Sequence, residues 1–183
     1  MKGIITIIAL LLMGPAWLPA QEADQQPHGQ GYLFVGEGTH QMGLTAGFGG
    51  EGYFYKGLGA GAELEATGMG GTTNVNSSLI GVGSADLSYH FFPKKNHLYP
   101  SPFVAGGYSI LFGHDNWIQP PLVTARHYAS GFNVGVGLDY FATKHVGMRF
   151  DVRYYGHGGI LWASFPNLAQ LSFTVFRIAF TFR

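Results

Sequence analysis

The stretch Val146-Gly147-Met148-Arg149-Phe150-Asp151-Val152-Arg153-Tyr154-Tyr155 decides the fold. Side chains on a β-strand point to alternate faces. Val146, Met148, Phe150, Val152 and Tyr154 therefore share one face, and Gly147, Arg149, Asp151, Arg153 and Tyr155 share the other. One face is oily and the other salted, the pattern of a strand with hydrocarbon on one side and an enclosed polar space on the other.

The same alternation recurs outward from this segment. Leu58, Ala60, Ala62 and Leu64 oppose Gly59, Gly61, Glu63 and Glu65, while Phe132, Val134, Val136, Leu138 and Tyr140 flank Asn133, Gly135, Gly137 and Asp139. With Glu51, Asp86 and Arg177, the salted positions form a candidate lumen charge network of Glu51, Glu63, Glu65, Asp86, Asp139, Arg149, Asp151, Arg153 and Arg177. Enclosed charges must pair, because an unpaired buried ion costs several kcal/mol, and the interleaved glycines leave room for long arginines.

Strand-like runs fall at approximately 31–37, 42–55, 58–67, 79–91, 102–111, 128–141, 146–155 and 171–182. Most reach the ~9 to 11 residues that a tilted strand needs to cross a bilayer, and an even number returns both ends to one side. The expected fold is all-β, an eight-stranded antiparallel up-and-down transmembrane β-barrel. A barrel of that size is just wide enough for side chains to fill it, so a plugged polar lumen is expected and open diffusion of solutes is not.

Composition agrees. Charged residues make up 11% of the chain, against roughly 25% in an ordinary soluble domain, while 29 Gly, 15 Phe and 10 Tyr crowd the sequence. The formal charge is zero, so no basic field exists to hold nucleic acid. Cysteine is absent, which excludes disulfides, thiolate metal sites and a Cys nucleophile.

Lys2, the apolar run from Ile4 to Met13 and the small residues up to Ala20 read as a signal peptide over 1–20. The run is shorter than the ~20 apolar residues of a spanning helix. Residues 21–30 read as a polar N-terminal segment, and 31–183 as the barrel.

Three connections share one pattern: Tyr53, Phe54 and Tyr55 before Lys56; Phe91 and Phe92 before Lys94 and Lys95; Tyr140 and Phe141 before Lys144. Aromatic rings settle at the lipid–water interface and lysine reaches past them to the headgroups, so these turns mark one membrane rim, expected to be periplasmic. His90, His97 and His145 are expected to join that headgroup belt. The opposite connections, 68–78, 112–126 and 156–170, are longer and expected to face outward.

GYLFVGEG at Gly31, KGLGAGAELE at Lys56, SADLSYHFFP at Ser84, PFVAGGYS at Pro102 and VGVGLDYFATKHVGMRFDVRYY at Val134 together resemble the outer-membrane β-barrel family that includes the OmpA and OmpX transmembrane barrels. The resemblance covers nearly all of 31–183. It implies an eight-stranded barrel in a bacterial outer membrane, in contact with outer-membrane lipid. It also implies an assembly signal in the alternating Phe176, Ile178, Phe180 and Phe182 for the outer-membrane assembly machinery, although Arg183 replaces the usual terminal aromatic. No peptidoglycan-binding domain follows, so an OmpA-like tether is not expected.

Function is less legible. Trp117, Ile118, Leu122 and Val123 in one loop and Ile160, Leu161, Trp162, Phe165 and Leu168 in another make an apolar outer rim. Of these, Trp117, Ile118, Trp162 and Phe165 are candidates for binding a surface protein or lipid. An acyl hydrolase of the lipid A deacylase type is the enzymatic alternative, resting on His157 with Ser164 or on His127 with Ser130. The first pair is far apart along a loop, and the second has a spacing that puts its members on opposite faces of a strand. His40, His114, His127 and His157 with Asp115 gather toward the outer mouth without metal-ligand spacing, so no metal or other cofactor is implied. A soluble barrel binding an apolar ligand is the rival fold; it would leave much of the outer surface as bare glycine.

Overall fold

The computed structural model describes residues 29–39, 42–69, 78–91, 100–116, 124–157 and 172–183. The strands are β1 (Gly29–Gly38), β2 (Met42–Tyr55), β3 (Leu58–Met69), β4 (Ser78–His90), β5 (Ser101–Asn116), β6 (Thr124–Phe141), β7 (Val146–His157) and β8 (Phe173–Phe182). Each pairs antiparallel with its sequence neighbour, and β1 closes on β8, giving an eight-stranded up-and-down barrel. The segment 1–28, His97, Lys94, Lys95 and the candidate binding residues Trp117, Ile118, Trp162 and Phe165 lie outside the described residues.

Period-two alternation sorts the sheet into two surfaces. Leu33, Val35, Phe48, Leu64, Leu87, Val104, Val134, Val136, Phe150, Ile178 and Phe180 are exposed on the outside, an apolar surface that only hydrocarbon would solvate well. Phe176, Ile178, Phe180 and Phe182 lie on this face. Exterior rings also cover cross-strand glycines: Phe112 lies over Gly81, Phe132 over Gly156 and Phe182 over Gly31. Shielding the backbone in this way restores packing that a glycine by itself forfeits.

Both chain ends of the barrel sit beside the short turns. The β2–β3 connection is a two-residue hairpin in which Lys56 (φ 37°) and Gly57 (φ 92°) both take positive φ, as a type I′ turn requires. In the β6–β7 turn the Thr143 hydroxyl accepts from the Val146 amide at 3.0 Å, and the Arg183 amide donates to the His145 carbonyl at 2.9 Å. Phe54, Tyr55, Phe91 and Tyr140 are exposed around this rim.

Several boundaries move. β1 starts at Gly29, so Gln30, assigned above to the polar segment, is a buried strand residue whose amide meets Glu51 and Asp139. β5 and β6 remain paired up to Asn116↔Thr124, so His114, Asp115 and His127 fall in strands rather than in a loop. Tyr53 and Phe141, grouped above with the interfacial rings, turn inward: Tyr53 packs edge-on to His90 at 4.9 Å, and Phe141 is buried under the Arg183 guanidinium. Three consecutive aromatics cannot all face lipid on an alternating strand.

Candidate functional site

The inward positions of the strands carry ionisable groups in two tiers. The tier nearer the short turns is built on Arg149 of β7. Its Nε donates to Asp139 Oδ1 at 2.7 Å and its Nη2 to Glu51 Oε1 at 2.5 Å, while Tyr32 and Phe103 flank the guanidinium with ring centroids at 4.4 and 4.3 Å. Ser88 donates to Glu51 Oε2 at 2.7 Å, and Gln30 Nε2 reaches Glu51 at 2.7 Å and Asp139 at 2.9 Å.

His90 belongs to this tier and not to a headgroup belt. The alternation of β4 turns it inward, where it is 1% exposed and stacks on Phe103 at 5.0 Å. Its Nε2 lies 3.0 Å from Glu51 Oε2 and its Nδ1 3.3 Å from Asp139 Oδ2, so the ring spans two carboxylates. His145 is exposed in its turn. Glu51, His90 and Asp139 bring metal-type donor atoms within 4.8 Å of one another, yet Arg149 and Gln30 already occupy the same carboxylate oxygens. The arrangement is a cross-barrel knot of paired charge.

The second tier lies nearer the opposite end. Arg153 pairs with Asp86 and, at 3.1 Å, with Glu63. Asn133 donates to Asp86 at 2.8 Å and to Ser109 at 2.9 Å. Arg177 bridges Glu63 at 2.7 Å and Asp151 at 2.7 Å, with its guanidinium over Phe34. Tyr32 donates to Glu63 at 2.7 Å, and Tyr155 to Glu65 at 2.9 Å. Glu51, Glu63, Glu65, Asp86, Asp139, Arg149, Asp151, Arg153 and Arg177 thus all lie inside the barrel.

Beyond this tier the interior becomes apolar. Met42, Ile80, Val82, Leu111, Tyr155, Phe173 and Val175 cluster in the half away from the short turns. The plugged polar lumen expected from the sequence is therefore joined, toward the end away from the short turns, by an apolar cluster. Ile80, Val82, Phe173 and Val175 are apolar at inward positions and alternate with Gly81, Gly83 and Thr174, so taken alone their stretches read with the oily face outward, the reverse of the structure. His90 was hidden because a lone polar residue among Tyr89, Phe91 and Phe92 reads as well at a rim as in a core.

A closed antiparallel barrel with an apolar exterior and a charge-paired interior defines the eight-stranded outer-membrane class of fold. Solved structures of that class match this chain across most of its length. It is similar to the N-terminal β-barrel domain of Pseudomonas aeruginosa OprF, at 14% identity and TM-score 0.58, over 84% of this chain and 96% of that one. Neisserial surface protein A gives 13% identity and TM-score 0.58 over 84% and 94%, respectively. Ail, the attachment invasion locus protein of Yersinia pestis, in complex with the heparin analogue sucrose octasulfate, gives 11% identity and TM-score 0.53 over 85% and 99%. No protein-family model and no curated protein matches the chain.

Proposed function

We propose that the chain is a bacterial outer-membrane barrel that works through its exposed ends, as a structural or surface-binding element and not as a channel or hydrolase. The filled lumen carries this reading. Arg149, Arg153 and Arg177 are each nearly inaccessible and cross the barrel to carboxylates on other strands, which supports a closed interior. With transport disfavoured, recognition falls to the connections opposite the short turns, with Trp117, Ile118, Trp162 and Phe165 as the proposed contact residues. The short turns then face the periplasm.

A hydrolase finds little support. Ser130 is buried and accepts a hydrogen bond from Tyr108 at 2.7 Å. Ser164 lies outside the described residues.

Two measurements test the proposal together. The mature protein is expected in the outer-membrane fraction with a fast-migrating unboiled band that shifts on heating in detergent. Liposomes containing it are expected to swell in small sugars no faster than empty ones. Recovery in the soluble periplasm would overturn the membrane assignment, and sugar-dependent swelling would overturn the closed lumen. Loss of cell-surface or lipid binding in Trp117→Ala and Trp162→Ala, with the heat shift retained, is the result expected for loop recognition.

A further inference from the structure

The second tier is not charge-balanced. Among the described residues it sets Glu63, Glu65, Asp86 and Asp151 against Arg153 and Arg177. Arg153 is taken up by Asp86 and Glu63, and Arg177 by Glu63 and Asp151. Glu65 is left at 3.6 Å from Arg177 through Oε2, the oxygen that also accepts from Tyr155.

Its other oxygen has no protein partner. Glu65 Oε1 is buried and unsatisfied, and so is Thr67 Oγ1, two residues further along the same inward face of β3. Thr67 is fully buried, and its cross-strand partner on β2 is Thr45, also fully buried, whose hydroxyl donates to the Ala66 carbonyl at 3.3 Å and also lies within reach of the Glu65 carboxylate. The nearby inward wall is apolar: Met42 on β2 and Ile80 and Val82 on β4. Leaving a buried acceptor unmet is costly, and more so where it carries charge.

We propose that Glu65, Thr67 and Thr45 form an internal site for a hard metal cation at the junction of the polar and apolar halves of the lumen. The donors are all oxygen, one carboxylate and two hydroxyls, a set that suits Na⁺, Mg²⁺ or Ca²⁺ and not the softer metals that seek nitrogen or sulfur. The cation would meet both unsatisfied oxygens at once and reduce the carboxylate excess. A proton on Glu65 would lower the charge but would leave Thr67 Oγ1 unmet and would add a buried donor.

The test uses the mature barrel refolded in detergent. Heat unfolding is followed by gel shift in NaCl, MgCl₂ or CaCl₂, each against choline chloride at equal ionic strength and fixed pH. One of the metals is expected to raise the unfolding temperature saturably, by about 5 °C or more, as a ligand specific for the folded state must. Thr67→Val keeps shape and removes one donor, and Glu65→Gln keeps size and removes the charge; both are expected to fold and to lose the metal-dependent rise. Equal unfolding temperatures in all four salts would overturn the proposal. So would an unchanged metal effect in both variants, or a Glu65-dependent stability that follows pH and ignores the metal.

Discussion

Replacing Arg149 with Met removes one guanidinium from between two carboxylates and leaves Glu51 and Asp139 to His90, Gln30 and Ser88. Glu51 and Asp139 each take a bond of 2.7 Å or shorter from Arg149, and the side chain is 2% exposed, so water does not replace what is lost. Breaking a buried pair from one side typically costs 3–5 kcal/mol. Stacking between Tyr32 and Phe103 adds up to roughly 2 kcal/mol for a desolvated cation over an aromatic face, part of which methionine recovers by packing. A net loss of about 4 kcal/mol is expected, nearly a thousandfold in the folding equilibrium. The assay is urea unfolding of the refolded barrel, scored by the folded band on unboiled gels. The companion variant Arg149→Met with Glu51→Gln and Asp139→Asn removes the stranded charge and is expected to recover at least half of the loss. A single variant within about 1 kcal/mol of the parent would refute the reasoning, since His90 and its polar neighbours, or water, would then hold both carboxylates without the guanidinium. A triple variant as unstable as the sum of its parts would refute it too.

Other expectations follow from particular contacts. Val136→Arg places a charge on the outward face of β6 and is expected to cost about 2–4 kcal/mol if that face meets lipid; unchanged stability would mean that the face is in water. Gly107→Ala pushes a methyl against the Ala85 carbonyl and the Asp86 backbone, so a loss of about 1–3 kcal/mol is expected. Gly106→Ala next to it meets only the Asn133 carbonyl, at 3.4 Å, and is expected to be nearly neutral; equal effects of the two in urea unfolding would contradict the geometry. Gly57→Ala combines a strained positive φ with a clash against the His90 carbonyl, and slowed refolding with lowered stability is expected in stopped-time gel assays.

Legibility tracked contrast between neighbouring positions. Where oil and salt alternate, as from Val146 to Tyr155, one sequence is enough to name both faces and the start of the strand, which runs on to His157. At 112–128 the contrast fades, and there β5 and β6 run further than the sequence indicates, while β1 begins at Gly29, two residues ahead of its legible alternation. Pairing of individual charges was not legible at all. Arg177 meets Glu63 across 114 positions and Arg149 meets Glu51 across 98, and only barrel closure sets which strands face one another across the lumen. The apolar part of the lumen was hidden for a different reason, because Ile80 and Val82 alternating with Gly81 and Gly83 read as a lipid face.

The long reach of these pairings bears on how the barrel is made. Gln30 on the first strand is tied to Asp139 on the sixth, and Arg177 on the last to Glu63 on the third; although Arg149–Asp139 and Arg177–Asp151 join neighbouring strands, Glu51, Glu63 and Glu65 on the early strands meet their arginines only when β7 and β8 arrive. An open sheet lying in hydrocarbon would hold bare ions against lipid, a cost of several kcal/mol for each. Half-made intermediates are thus penalised, and bilayer insertion becomes coupled to joining the β1–β8 seam. A chain wired in this way is expected to enter the membrane slowly and nearly all at once, and the step that admits it must shelter the carboxylates of the early strands until the last two strands arrive.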